Sequence, residues 1–156
     1  HKTALDVEKI RPAFFAYYDD HLTDVTRPYP GIPEVISQLA GRGIKLAVAS
    51  NKYQSATEKL VKHFFPQIPF AAVLGQRERI AVKPDPAIVE EILWLSGVSR
   101  EETLYVGDSD VDMQTAHNAG VRVCAVTWGF RSREELATFK PDFITDKPAE
   151  IADMVF

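Results

Sequence analysis

The sequence predicts an α/β fold in which a Rossmann-like parallel sheet is flanked by helices. Two observations carry this prediction: apolar runs of strand length recur along the chain, and segments with helical patterning separate them. Near-continuous apolar runs are typical of parallel strands buried on both faces, and their alternation with helices indicates βαβ units. The predicted strands span residues 45–49, 70–74, 103–106, 122–126 and 142–145.

Proline, glycine and capping residues mark where the predicted helices begin and end. Pro33 occupies a first-turn position of one helix, and Gly43 lies just beyond its end. Asp85 and Pro86 open another helix, as the cap and the first helical residue. Capping boxes are predicted at Ser99 with Glu102 and at Ser132 with Glu135, and a helix end at Gly120.

The N-terminal segment has a different pattern from the rest of the chain. Residues 7–22 carry apolar side chains at helical spacing, and the turn-forming residues 27–31 follow them. We therefore predict two units. Residues 1–26 contain a helix of a separate structural unit, and residues 27–156 form the α/β core.

Composition argues against several classes of function. The chain has 156 residues, 46% of them hydrophobic, which is enough for one domain with a sizeable core. Its net charge of −4 argues against nucleic acid as the main partner. Since no apolar run approaches the roughly 20 residues of a membrane helix, we expect no membrane partner. The single cysteine, Cys124, lies in a predicted strand, and without a signal-peptide pattern the expected location is the cytoplasm.

Polar residues follow the predicted strands at the edge where parallel sheets bind ligands. Ser50 and Asn51 come between a strand and a helix, where they either bind an anion or only cap the helix. Lys83 is followed by Pro84 and, two residues later, by Pro86, which stiffen the backbone around it. Its ammonium either binds phosphate, pairs with carboxylates or is a solvated surface charge.

An acidic segment, residues 107–112, follows the predicted strand 103–106. Asp108, Asp110 and Asp112 crowd this strand end, and because like charges repel, a counter-cation is the simplest resolution. A small number of oxygen ligands suits Mg²⁺, whereas the spacing does not fit a calcium loop. The alternative is a capped helix start whose acidic residues the helix dipole favours.

In order and spacing, these segments resemble the haloacid dehalogenase superfamily over residues 28–156. Ser50 is similar to its second motif, Lys83 to its third, and Asp108 with Asp112 to its fourth. Resemblance to the phosphoglycolate phosphatase branch lies in residues 28–31, 126–129 and 141–142.

The resemblance implies a Mg²⁺-dependent phosphatase that hydrolyses a small phosphorylated metabolite through an aspartyl-phosphate. It implies that Asp108 is the direct Mg²⁺ ligand and that Asp112 orients a metal-bound water or Lys83. It assigns Ser50 and the backbone N–H of Asn51 to the phosphoryl oxygens. Lys83 would neutralise charge on the nucleophile and the phosphoryl group. A phosphomutase of the same superfamily, or a nucleophile-free domain that binds phosphate or a partner, are the alternatives.

The sequence departs from the family at the nucleophile, because it contains no Asp-x-Asp-Gly motif. In the family this motif follows the first, central strand. Asp19 and Asp20 instead lie within the helical pattern, without a glycine after them. We therefore expect the chain, which begins at His1, to be a fragment that is inactive alone. Residues 1–26 then resemble the C-terminal part of the family's helical cap.

The same departure predicts that the sheet lacks its central strand. Each buried N–H or C=O group without a partner lowers the stability of the fold by about 1–3 kcal/mol. The place of the missing strand therefore has to be filled by another segment, closed by its two neighbours or solvated. The N-terminal segment could pack there, the two neighbouring strands could pair directly, or a second copy could donate a strand.

Overall fold

The computed structural model describes residues 13–15 and 27–155, and its strands form one parallel sheet. The strands are β1 (Ala13–Phe15), β2 (Leu46–Tyr53), β3 (Ala72–Gln76), β4 (Leu104–Gly107), β5 (Arg122–Val126) and β6 (Phe143–Thr145). Their order across the sheet is β3-β2-β1-β4-β5-β6. The predicted α/β class is confirmed, and each of the five predicted strands is present. The strand at 122–126 has the predicted ends, whereas the ends of the other four are shifted, and β2 runs on to Tyr53.

Helices connect the strands, as the sequence predicts. They are α1 (Ile32–Gly41), α2 (Gln54–Phe64), α3 (Ala87–Ser96), α4 (Asp110–Ala119), α5 (Arg133–Ala137) and α6 (Ile151–Met154), with 3-10 turns at Arg100–Glu102 and Pro148–Glu150. The Ser132 hydroxyl accepts from the Glu135 N–H at 3.2 Å, and Gly120 ends α4 with φ 71°. Ser99, in contrast, precedes only a 3-10 turn and caps nothing with its side chain. Within the described residues, no helix has the length and apolarity to cross a membrane.

The core consists of two hydrophobic clusters, one on each face of the sheet, and successive residues of a strand belong to different clusters. Leu104 and Val106 of β4 belong to the cluster that contains the buried residues of α1 and α6. Tyr105, between them, belongs to the cluster that contains those of α3 and α4. Because successive strand side chains point to opposite faces, the sheet is covered on both sides. Tyr105 is fully buried, so its phenol oxygen needs a partner inside the fold.

The centre of the sheet differs from the sequence-based expectation. Strand β1 lies between β2 and β4 and pairs in parallel with both, with Phe15 opposite Val48 on one side and Val106 on the other. The place expected to be left by the family's first strand is therefore filled, as the cost of unpaired buried backbone groups requires. Of the three predicted outcomes, the structure shows the first, in which the N-terminal segment packs between β2 and β4.

The helix predicted for residues 7–22 is accordingly wrong at Ala13–Phe15; its other residues lie outside the described ones. The physical reason is that β2 and β4 offer backbone partners on both sides, and an extended segment satisfies both rows of buried N–H and C=O groups. A helix would satisfy only its own backbone groups and would leave those of β2 and β4 without partners. The division at residue 26/27 stays a prediction.

Candidate functional site

The acidic segment lies at the carboxyl end of β4, in the turn that leads into α4. Ser109 is the N-cap of α4, and its hydroxyl accepts from the Asp112 N–H at 3.2 Å. Asp110 and Asp112 lie in the first turn of α4, where the helix dipole favours acidic residues. A Cβ at Gly107 would lie 2.4 Å from the Asp112 Cβ, so only glycine lets the Asp112 side chain pack this close to β4.

The Asp112 carboxylate is fully buried and forms an ion pair with Lys83. Lys83 Nζ lies 2.8 Å from Asp112 Oδ1, and neither side chain is exposed. The second oxygen, Oδ2, accepts from the Ser109 hydroxyl at 3.0 Å and from the Asp108 N–H at 3.1 Å. Of the alternatives predicted for the Lys83 ammonium, pairing with a carboxylate is confirmed, and a solvated surface charge is excluded by its burial. Because its two oxygens accept from Lys83, Ser109 and the Asp108 N–H, the Asp112 carboxylate fixes the positions of these groups.

The three aspartates of the segment therefore have three different environments. Asp112 pairs with Lys83, whereas Asp110 pairs with Arg131 at the surface, where Arg131 Nε lies 3.2 Å from Asp110 Oδ1. Asp108 has no cationic partner among the described ion pairs. The predicted repulsion is thus relieved for Asp112 and Asp110 by cationic side chains of the protein. Of the three aspartates, Asp108 is the one available to bind a metal cation.

Asp108 is buried, and the loop after β5 contacts it. Its Oδ2 accepts from the Phe130 N–H at 3.3 Å, while its Oδ1 is buried and lacks a hydrogen-bond partner among the described residues. Burial and, second, the charge of Asp112 raise the pKa of Asp108 to about 7. An oxygen that is desolvated and unpartnered is energetically costly unless a cation or donor occupies the space beside it.

Gly129 makes this approach of the loop to Asp108 possible. A Cβ at Gly129 would lie 2.0 Å from Asp108 Oδ2 and 2.5 Å from its Cβ, so both the side chain and the loop would have to shift. We predict that Gly129→Ala lowers the free energy of unfolding by about 1–3 kcal/mol, as overpacking typically does. Thermal or urea denaturation measures this.

The matched control is Gly41→Ala, because an added methyl group there meets nothing within 4 Å and Gly41 ends helix α1. This variant should be neutral or gain up to about 1 kcal/mol from the lower backbone entropy of alanine in the unfolded chain. Equal losses in the two variants would show that the contact with Asp108 is unimportant.

Ser50 and Asn51 lie in an irregular end of β2. Between Ala49 and Tyr53 the pairing with β3 shifts, so that four residues of β2 oppose two of β3. Helix α2 begins only at Gln54, with Tyr53 as its N-cap. The expected position of Ser50 and Asn51 at a helix start is therefore wrong, and neither residue caps a helix. Their role as an anion site stays a prediction. Ser50 is buried, and its hydroxyl accepts from the Lys52 N–H at 3.1 Å.

The side chain of Asn51 holds the backbone of Lys83. Asn51 Nδ2 donates to the Lys83 carbonyl at 3.2 Å, and the Lys83 N–H donates to Asn51 Oδ1 at 3.0 Å. Asn118 of α4 donates to the Pro84 carbonyl at 2.9 Å. Lys83 Nζ also lies 3.4 Å from the carbonyl of Ala49, the residue before Ser50. The irregular end of β2, the Lys83 loop and the C-terminal turn of α4 are thus fixed to one another.

The structure brings all five predicted site residues into one neighbourhood. Asn51 contacts Lys83, Lys83 contacts Asp112, and Asp112 contacts the backbone of Asp108, while Ser50 follows Ala49 in the chain. Three further residues contact the site and are not predicted from the sequence, namely Tyr105, Phe130 and Asn118. A tyrosine in an otherwise apolar buried strand is the one signal that could have indicated the first of these.

Comparison with known proteins gives consistent matches. Residues 2–126 match the family model described as haloacid dehalogenase-like hydrolase. The chain is 34% identical over 144 residues to a phosphoglycolate phosphatase of Mesorhizobium japonicum, covering 90% of this chain and 63% of the relative. It is 30% identical over 149 residues to one of Haemophilus influenzae, covering 96% and 66%. The chain thus spans just under two thirds of the length of these relatives.

A solved structure supports the same relationship. The crystal structure of a candidate phosphoglycolate phosphatase from Lactobacillus delbrueckii subsp. bulgaricus superimposes with a TM-score of 0.82 at 37% identity. The match covers 88% of this chain and 57% of that one. Sequence and fold therefore point to the same relatives.

Proposed function

The chain belongs to the haloacid dehalogenase-like hydrolase family, and we propose that it supplies the phosphate- and metal-binding part of a phosphomonoester hydrolase of the phosphoglycolate phosphatase type. The observation that carries this proposal is the buried Lys83–Asp112 pair beside the Asp108 carboxylate, one oxygen of which has no hydrogen-bond partner in the part of the chain that the structure describes. Fixed charges at the carboxyl edge of a parallel sheet suit an anionic ligand and a cation together.

In this proposal the polar groups clamp a phosphoryl group. The Lys83 ammonium, held by Asp112, neutralises negative charge that develops as the phosphoryl group is transferred. Ser50 and the Asn51 N–H bind the phosphoryl oxygens from the end of β2. Because the Ser50 hydroxyl and the Lys83 ammonium are held by buried hydrogen bonds, little reorganisation of these two groups is needed when the ligand arrives.

Asp108 is the residue that would hold Mg²⁺. Its Oδ1 is buried and has no hydrogen-bond partner within residues 27–155, which fits a hard cation that prefers oxygen ligands. Bound Mg²⁺ would withdraw charge from the phosphoryl oxygens. Within the described residues, no group of three or more His, Cys, Asp or Glu side chains could hold a metal. We therefore expect weak Mg²⁺ binding by this chain, since Mg²⁺ gives up its water shell reluctantly.

The attacking group of the proposed reaction is an aspartate that this sequence does not contain. Family members carry it in Asp-x-Asp-Gly, and the residues that follow β1 in sequence are Ala16, Tyr17 and Tyr18. We propose that a longer protein provides the nucleophile and forms an aspartyl-phosphate with a small phosphorylated metabolite. A phosphate-binding domain without turnover is the second candidate, favoured by the same missing motif. The cytoplasm is the proposed setting, where Cys124, buried as a free thiol, stays reduced.

Calorimetric titration of the chain with inorganic phosphate and with Mg²⁺ tests the proposed binding roles. We predict that Ser50→Ala weakens phosphate binding roughly fivefold, the size of one lost hydrogen bond, and that Asp108→Asn abolishes Mg²⁺ binding. Ser55→Ala and Asp153→Asn are matched controls, since both residues are exposed and lie outside the site. Micromolar Mg²⁺ affinity that survives Asp108→Asn would contradict the assignment of Asp108.

A further inference from the structure

We propose that the hydroxyl of Tyr105 is a positioning group that fixes the Lys83 ammonium, and with it a positive charge, beside the proposed phosphate site. Tyr105 is on β4, and its oxygen lies 2.9 Å from Asp112 Oδ1 and 3.3 Å from Lys83 Nζ. The phenol therefore touches both members of the buried ion pair. This inference rests on the proposed phosphate-binding role of Lys83 and adds a residue that no family motif assigns.

Donor and acceptor chemistry fixes the direction of these hydrogen bonds. An ionised carboxylate only accepts and an ammonium only donates, so the Tyr105 O–H donates to Asp112 and its oxygen accepts from Lys83. Burial and the charge of Asp112 raise the pKa of Tyr105 well above its usual range, which keeps the phenol protonated. The three groups form a closed triangle that has one hydrogen-bonding arrangement.

This triangle limits where the ammonium can point. If Asp112 Oδ1 were its only acceptor, Lys83 Nζ could take several positions around that one oxygen. The Tyr105 oxygen and the Ala49 carbonyl, 3.4 Å away, are two further acceptors on the protein side. With the backbone of Lys83 held by Asn51, both ends of the lysine are restrained. Loss of the Tyr105 hydroxyl would remove one restraint at the charged end and leave the ring and its packing in place.

The test compares Tyr105→Phe with the unaltered chain by NMR of the lysine ammonium groups and by phosphate titration. The Lys83 signal is assigned with Lys83→Arg. In Tyr105→Phe, we expect the Lys83 ammonium protons to exchange with water about tenfold faster and phosphate to bind about three- to tenfold more weakly, which is the size of one lost ordinary hydrogen bond. Tyr53→Phe is the matched control, because Tyr53 is 69% exposed.

The outcomes separate this inference from the proposed function. An unchanged Lys83 signal and unchanged phosphate affinity in Tyr105→Phe would overturn the positioning role. A changed Lys83 signal in a chain that binds no phosphate would support the positioning role and count against the proposed function. If Tyr105→Phe does not fold, 3-fluorotyrosine at position 105 keeps the hydroxyl and the volume while strengthening its donor. A Lys83 signal that this replacement leaves unmoved would equally overturn the inference.

Discussion

Lys83→Met should lower the free energy of unfolding by about 3–5 kcal/mol, because it leaves the Asp112 charge buried without its cation. The two side chains are fully buried and 2.8 Å apart, so solvent cannot replace the lost partner. For a domain of this size such a loss lowers the melting temperature by roughly 10 °C. Phosphate binding should disappear as well, and thermal denaturation with calorimetric titration measures both effects.

The double variant Lys83→Met with Asp112→Asn separates these two effects. Removing both charges should recover more than half of the lost stability, since the remaining amide can still accept from Tyr105. Phosphate binding should stay absent in the double variant. Lys59→Met on α2 is the control for removal of an exposed lysine, with an expected change within about 0.5 kcal/mol. A Lys83→Met protein as stable as the control would contradict the burial of an ion pair at this site.

The chain as it stands should bind oxyanions without hydrolysing phosphate esters. In-line attack requires a carboxylate held close to phosphorus, and no Asp-x-Asp-Gly motif is present. Ser50 is a poor substitute, because its hydroxyl accepts from the Lys52 N–H and no described contact pairs it with a general base. The measurement is p-nitrophenyl phosphate hydrolysis with excess Mg²⁺ near neutral pH. Turnover that disappears in Asp108→Ala would contradict the absence of the nucleophile.

Much of the site could be predicted because it follows from local rules. Polar residues after parallel strands meet at one edge of the sheet, which is enough to bring Lys83 and Asp112 together from positions 29 residues apart. Ser109 and Gly120 mark the ends of α4 through preferences of single residues. The chemical roles predicted for Lys83 and Asp112, in contrast, came from the resemblance to a family.

The features that the sequence did not predict depend on distant partners. Ala13–Phe15 fits a helical pattern, and only the open edges of β2 and β4 make it a strand. Tyr105 has the pattern of a core aromatic residue, and its role depends on an ion pair formed by two other elements. Asn51 has the pattern of a helix cap, but its amide holds the backbone of Lys83, 32 residues away. Hydrophobic periodicity carries no information about such contacts.

The most direct test of the account is phosphatase activity in a protein made by extending this chain upstream, so that an Asp-x-Asp-Gly strand can take the place of β1 between β2 and β4. We expect Mg²⁺-dependent hydrolysis of small phosphomonoesters, and we expect Asp108→Ala to lower kcat/KM at least about 10³-fold by removing a metal ligand. Tyr53→Phe in the same protein should leave the rate unchanged. Failure of the longer protein to turn over any small phosphomonoester would contradict the proposed activity and favour a domain that only binds phosphate.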